Sequence, residues 1–228
     1  MKNRIITGCS YTELKKLPNE SVDCCVTSPP YFRKRNYNVE PTKWPRADYI
    51  FFGHIVKVPA MTACLGLEDK IEHYIGHLIL IFNEVRRVLK SDGTAWINIG
   101  DTYCSTAPGT KTIGIRRDGI FAGLKISVAE KVIIDRPGTP DGMKPKDLMG
   151  IPWTFAFAMR DAGWYLRQDI IWHKTNPMPE SIKDRCSHAH EYIFHFAKSK
   201  KYYFNQKAIQ KPVTELTKKD KRFLANMA

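Results

Sequence analysis

Ser21-Val22-Asp23-Cys24-Cys25-Val26-Thr27-Ser28-Pro29-Pro30-Tyr31-Phe32 is the stretch that decides the fold. Ser21 to Thr27 is a compact apolar run with strand character, and it stops at two consecutive prolines. Proline has no N–H for a sheet ladder or a helix interior, so neither element continues through it. Ser28-Pro29-Pro30-Tyr31 therefore stands at the carboxyl end of a strand, which is where α/β sheets bind ligands. The paired prolines fix the backbone and present the Ser28 hydroxyl and the Pro29 carbonyl in a set geometry, with the flat face of Tyr31 beside them. Taken alone, the same four residues describe a Pro-Pro turn with a packed tyrosine equally well.

Upstream, Arg4–Thr7 alternates as a first short strand, and Thr12–Leu17 offers one or two helical turns before Pro18. Downstream, residues 32–66 are aromatic, basic and irregular. Ile71, Tyr74, Ile75, Leu78, Ile81, Phe82, Val85 and Leu89 then recur at helical spacing. Ser91-Asp92-Gly93 ends that helix and Thr94–Ile99 is the next strand. Lys146–Ala162 resumes the helical period, with Pro152 early enough to cost little and Gly163 as the stop. Tyr165–His173 reads as a strand, and Tyr192–Ala197 with Lys201–Phe204 as a hairpin about Lys198-Ser199-Lys200. Alternating strands and helices predict an α/β fold, mostly parallel, with helices on both faces and a C-terminal antiparallel hairpin. One domain is expected over residues 1–210, with a long loop at about 104–146 and a charged tail at 211–228.

Lys and Arg number 36 against 23 Asp and Glu, a formal charge of +13, which favours a polyanionic partner. The basic residues gather in Arg33–Arg46, Lys111–Lys146 and Lys207–Arg222; Lys111, Arg116, Arg117, Lys125 and Lys131 suit a segment lying along nucleic acid. A mean hydropathy of -0.37 and no long apolar run argue against a transmembrane helix. The basic start lacks an apolar region of signal-peptide length. Six cysteines without a C-x-x-C pair suit neither a disulfide framework nor a zinc knuckle, so a reducing cytoplasm is expected. His73 and His77, four residues apart on the first long helix, have no third ligand at a recognisable spacing and read as ordinary helix residues.

Several blocks together resemble the DNA N4-cytosine/N6-adenine methyltransferases, in the permuted group whose catalytic motif comes first. They are Leu17–Asp23 leading into Thr27–Phe32, Arg87–Thr94, Trp96–Tyr103, Gly163–Arg167, Ile171–Lys174, Asn176–Ser181 and His190–Tyr192. The resemblance implies a partial Rossmann-like methyltransferase sheet, S-adenosyl-L-methionine as cofactor and double-stranded DNA as partner. It assigns Ser28, Pro29, Pro30 and Tyr31 to catalysis on the exocyclic amine of a flipped base. Hydrogen-bond acceptors at that amine favour a pyramidal nitrogen whose lone pair points at the methyl group, and positioning supplies most of the barrier reduction. Stacking on Tyr31 offsets part of the unstacking cost. Serine at position 28 resembles the cytosine-N4 enzymes more than the adenine-N6 enzymes, which also use it. No Pro-Cys dipeptide supports covalent attack at cytosine C5.

The same resemblance points to Gly8, Cys9 and Ser28 at the cofactor and to Arg33, Lys34, Arg35, Lys174 and Asn176 at the DNA. Trp172 and Pro179 belong to the block whose loop lies near the base pocket, and Asp101 suits either the cleft wall or an N-cap. The family's Phe-x-Gly-x-Gly cofactor turn is not found, and no glycine follows Gly163. The chain thus reads as the catalytic half of a site-specific modification methyltransferase of the restriction-modification kind. It would be truncated, completed by a second polypeptide, or a catalytically silent DNA-binding relict. Methylation of protein glutamine or RNA is disfavoured, because the blocks outside the tetrapeptide resemble the DNA enzymes.

Overall fold

The computed structural model describes residues 3–104, 109–113, 132–136, 139–140, 142–177 and 180–210, with 109–113 and 132–136 described by backbone alone. A short helix, α1 (Ser10–Leu14), precedes β1 (Val22–Thr27). Two small antiparallel pairs follow, β2 (Thr42–Trp44) with β5 (Met61–Ala63) and β3 (Tyr49–Phe51) with β4 (His54–Val56). Then come α2 (Ile71–Val88), β6 (Leu89–Ile99), the pair β7 (Gly109–Ile113) and β8 (Val132–Arg136), α3 (Ile151–Asp161), β9 (Tyr165–His173), β10 (His190–Ala197) and α4 (Gln206–Ile209).

The main sheet has the order β1-β6-β10-β9. β1 and β6 are parallel, while β10 runs antiparallel to both β6 and β9. The sheet is therefore mixed rather than mostly parallel. Among the described residues no helix links β9 to β10, and β10 comes back in the opposite sense, as a non-crossover connection must. The antiparallel C-terminal strand is present, but its hairpin partner is β9. Lys201–Phe204 forms no strand. Tyr202 instead packs edge-on against His195 at 5.4 Å, and the Tyr203 N–H donates to the Asp92 carbonyl. Arg4–Thr7 forms no strand either, and Ile5 and Ile6 lie exposed beyond the sheet.

β6 begins at Leu89, directly at the end of α2, so Ser91-Asp92-Gly93 lies inside a strand. The Gly93 carbonyl accepts from the Lys198 N–H there, and a Cβ on Gly93 would meet the Asp23 carbonyl at 3.1 Å. The core lies between one face of the sheet and helices α2 and α3. Ala95, Ile97, Ile99, Phe194 and Phe196 supply the sheet side; Tyr74, Ile75, Leu78, Phe82, Phe155 and Met159 supply the helical side. Alternation along β6 turns Trp96 and Asn98 to the opposite face. At the β1 edge that face stays open, with Cys24 exposed and Val26 79% exposed. No helix among the described residues is long and apolar enough to cross a membrane.

Candidate active site

The prolines end β1 as its sequence predicts, and the chain then turns across the carboxyl end of the sheet. Helix α2 holds this turn from below. The Tyr74 hydroxyl donates to the Pro30 carbonyl at 2.8 Å, and the rings of Phe32 and Tyr74 pack with centroids 5.4 Å apart. Gly66 supports it from the side: its carbonyl accepts from the Arg33 N–H at 2.6 Å. A Cβ on Gly66 would meet the Tyr31 carbonyl at 3.1 Å, and its φ of +89° belongs to the left-handed region.

Gly66 is held in turn by a fully buried pair. Its N–H donates to Glu68 Oε2 at 2.8 Å, while Glu68 Oε1 lies 2.8 Å from His77 Nδ1. His77 stacks on Trp44 with ring centroids 4.3 Å apart, and its Nε2 has no hydrogen-bond partner among the described residues. His77 thus serves the packing of the Ser28–Tyr31 turn. No group of three or more His, Cys, Asp or Glu side chains able to hold a metal occurs among the described residues.

Above the turn opens a cleft of about 720 Å³, lined by Ser28, Pro29 and Tyr31 together with Lys34, Arg35, Lys174 and Asn176. The Tyr31 hydroxyl donates toward two acceptors, Asn98 Oδ1 at 2.6 Å and Glu191 Oε2 at 2.9 Å, and the Ser28 hydroxyl donates to it at 3.4 Å. Burial pushes the Tyr31 phenol up to about 12, with the Ser28 bond pulling down and the Glu191 carboxylate pushing further up. Burial also acts to raise Glu191. Its bonds to Lys174 and Tyr31 outweigh that and hold the carboxyl below its ordinary range.

Asp101 is a cleft residue and not an N-cap, since the N-cap of α3 is Gly150. It lines the cleft, and its carboxylate accepts from the N–H groups of Gly150 and Ile151 at the start of α3, at 3.1 and 3.2 Å. Burial raises its carboxyl, against the pull of those N–H donors and that of Thr102. The far wall carries Tyr103, Glu180, His188 and His190. Arg185 lies over the Tyr103 ring at 3.8 Å and pairs with Glu180 at 2.8 Å.

Not every expected residue meets here. Gly8 and Cys9 are absent from the cleft lining; Cys9 sits at the start of α1, with its thiol 3.6 Å from the Thr42 hydroxyl. Arg33 turns away, its guanidinium bonded to the Asp69 carbonyl. Trp172 is exposed on β9. Pro179, Arg116, Arg117, Lys125, Lys131 and the tail 211–228 lie outside the described residues, as does the Lys111 side chain. The sequence blocks contained Asn98 and Glu191 without marking a role for either. Neither is near Tyr31 in sequence, and only the β1-β6-β10 strand order brings them together.

A family model described as DNA methylase matches residues 22–225. The chain belongs to the DNA N4/N6 methyltransferase family. Among relatives of this chain, the Type II methyltransferase M.XycI of Xanthomonas campestris pv. cyanopsidis is 43% identical over 208 residues, covering 91% of this chain and 58% of that protein. The Type II methyltransferase M.SmaI of Serratia marcescens is 40% identical over 226 residues, covering 98% of this chain and 66% of that one. The chain therefore spans less than two thirds of the length of either. Two solved structures align at 19% identity: the cytosine-N4-specific PvuII DNA methyltransferase has a TM-score of 0.48 over 86% of this chain and 49% of that one. A DNA modification methylase from Thermus thermophilus, complexed with S-adenosyl-L-methionine, has a TM-score of 0.47 over 92% of this chain and 56% of that one.

Proposed function

We propose that this chain carries the base-binding half of a Rossmann-like DNA methyltransferase. The reaction moves a methyl group from S-adenosyl-L-methionine to the exocyclic amine of a flipped cytosine (N4) or adenine (N6). The observation that carries this reading is the convergence, in one cleft at the carboxyl end of a parallel strand, of Ser28, Pro29 and a tethered Tyr31 ring with Lys34, Arg35 and Lys174. Between the two amines the resemblance at Ser28 favours cytosine N4.

In this reading the Ser28 hydroxyl and the Pro29 carbonyl accept from the amine and aim its lone pair. The Tyr31 ring is the stacking floor. Lys34, whose ammonium lies over that ring at 5.8 Å, leaves it for a DNA phosphate when the base enters. Arg35, Lys174 and Asn176 line the same mouth. Of the cleft's carboxylates, Glu180 and Glu191 are paired with Arg185 and Lys174, which leaves Asp101 as the carboxylate without a cationic partner to face a sulfonium among the described residues. When bound, the cofactor supplies an electrophilic methyl group. Six free cysteines suit work in a reducing cytoplasm.

The test is labelled methyl transfer to duplex DNA by the purified chain. Tyr31→Ala is expected to weaken base capture, whereas Pro29→Ala lowers turnover more than DNA affinity; equal loss of both by either variant would count against these roles. A second reading, a catalytically silent DNA-binding fragment, fits a chain that spans less than two thirds of the length of the relatives named above. Failure to bind the cofactor at millimolar concentration would select it.

β1 supports a polypeptide partner that supplies the cofactor half. Its apolar run suits a parallel strand buried on both faces, yet in the sheet it is an edge strand with Cys24 and Val26 exposed. Such edges associate. The purified chain is expected to self-associate on size exclusion and to exchange its outward β1 amides rapidly. A soluble monomer with protected β1 amides would overturn the partner proposal.

A further inference from the structure

We infer that Glu191 is the final acceptor of the proton that the base amine sheds on methylation, reached through the hydroxyls of Ser28 and Tyr31. The inference rests on the reading of the cleft given above and adds to it an exit for that proton. The observation behind it is a directed chain of hydrogen bonds. Ser28 Oγ donates to Tyr31 Oη at 3.4 Å, and Tyr31 Oη donates to Glu191 Oε2 at 2.9 Å. Ser28 is exposed at the cleft mouth, where a substrate amine can reach its oxygen.

The step balances as follows. The amine nitrogen bonds to the methyl group of a methylsulfonium donor as the carbon–sulfur bond breaks, and the electron pair of that bond stays on sulfur. The nitrogen is then positively charged, carries one surplus proton and is strongly acidic. Ser28 Oγ takes that proton as its own passes to Tyr31 Oη, and the Tyr31 proton passes to the Glu191 carboxylate. Both hydroxyls are restored, Glu191 ends neutral, and the cleft it lines returns the proton to solvent.

Two features make Glu191 the terminus. Asn98 Oδ1 is also within reach of the Tyr31 hydroxyl, at 2.6 Å, but an amide oxygen is a poor proton acceptor and serves to hold the phenol at rest. Among the described residues Glu191 supplies the carboxylate bonded to the Tyr31 oxygen. Lys174 bonds Glu191 through the other oxygen, Oε1, which leaves Oε2 to Tyr31. That pairing also keeps the carboxylate ionised at neutral pH despite its partial burial. Against so acidic a nitrogen, a weak base suffices.

A merely structural Glu191 would hold the Tyr31 ring and nothing more, and Glu191→Gln separates the two roles. The amide keeps an oxygen for the Tyr31 hydroxyl but cannot take its proton. Tyr31→Phe keeps the ring and cuts the relay. In both variants the stacking surface remains, so capture of 2-aminopurine from a mismatched duplex is expected to fall far less than turnover. Turnover in the labelled-methyl assay is expected to fall by about 10²-fold or more, the usual scale of lost general-base assistance. The folded-state value of Glu191 is depressed, so the relay works above it and is lost as pH falls through it. The parent's turnover should therefore drop on the acid side of the ordinary carboxylate range, and Glu191→Gln should lack that limb.

Turnover of Glu191→Gln within twofold of the parent overturns the relay. A second readout needs no methyl transfer: the ¹³Cζ resonance of Tyr31, assigned through Tyr31→Phe, should titrate at lower pH in Glu191→Gln because the neighbouring negative charge is gone. An unchanged titration also overturns the relay. If the parent transfers no methyl group while this shift is seen, the function reading fails for the isolated chain, and the Tyr31–Glu191 link is supported by the resonance.

Discussion

Gly100→Ala is expected to abolish base capture while leaving the fold in place. A Cβ at residue 100 would lie 2.6 Å from Tyr31 Cε2 and 2.9 Å from Cδ2, inside any real contact distance. The clash falls on a ring that cannot yield cheaply. Its hydroxyl is held by Asn98 and Glu191, and its backbone is held between the Tyr74–Pro30 bond and Gly66. The ring must swing out and give up its hydroxyl partners. Displacement of a positioning group by about 1 Å commonly costs on the order of 10²-fold, and at least that loss is expected in 2-aminopurine capture. The melting temperature should change little, because Gly100 follows the last residue of β6 and its φ lies outside the left-handed region. In a Tyr31→Ala background the same substitution should cost almost nothing, since the ring it strikes is gone. Additive losses in the double variant would refute the steric account.

The contrast between this site and its sequence shows what local pattern carries. The Val22–Thr27 strand, the helical period of α2 and the Tyr165–His173 strand all emerge in place, because each is decided by short-range periodicity, and in the first the prolines also mark the end. The position of β10 between β6 and β9 is a choice of neighbours, and no local period encodes it. The isolated apolar pair Ile5-Ile6 imitates a strand but finds no partner. Residues 42–63 form two small sheets whose three-residue strands are too short to leave a period. The site divides in the same way. Ser28, Pro29 and Tyr31 were legible because they are contiguous, and Lys34 and Arg35 because they follow directly. Asn98 and Glu191 were not, since their role exists only once three strands stand side by side. Arg33, adjacent in sequence, does not line the cleft; its φ is positive at 53° and its guanidinium bonds the Asp69 carbonyl.

Glu68→Ala should be the most damaging single change away from the cleft. Glu68 and His77 have side chains fully excluded from solvent, and the carboxylate serves two groups, His77 Nδ1 and the Gly66 N–H. Removing it leaves both without their partner in a dry interior, and His77 Nε2 already has none among the described residues. Leaving a buried polar group without its partner costs about 1–3 kcal/mol, and here two groups are left so, a large share of a typical domain's stability. Glu68→Gln keeps an oxygen for the Gly66 N–H and a polar group facing His77. It should cost far less, about 1 kcal/mol, the net worth of one ordinary hydrogen bond. Urea unfolding followed by tryptophan fluorescence tests both, and Trp44, stacked on His77, reports on the site directly. The damage should also reach the cleft, because Gly66 braces the backbone of Pro30, Tyr31 and Arg33. Below its melting temperature Glu68→Ala should therefore capture 2-aminopurine poorly, with Glu68→Gln close to the parent. If Glu68→Ala unfolds within about 1 kcal/mol of the parent, the pair is not worth a broken buried interaction, and its support of the Ser28–Tyr31 turn falls with it.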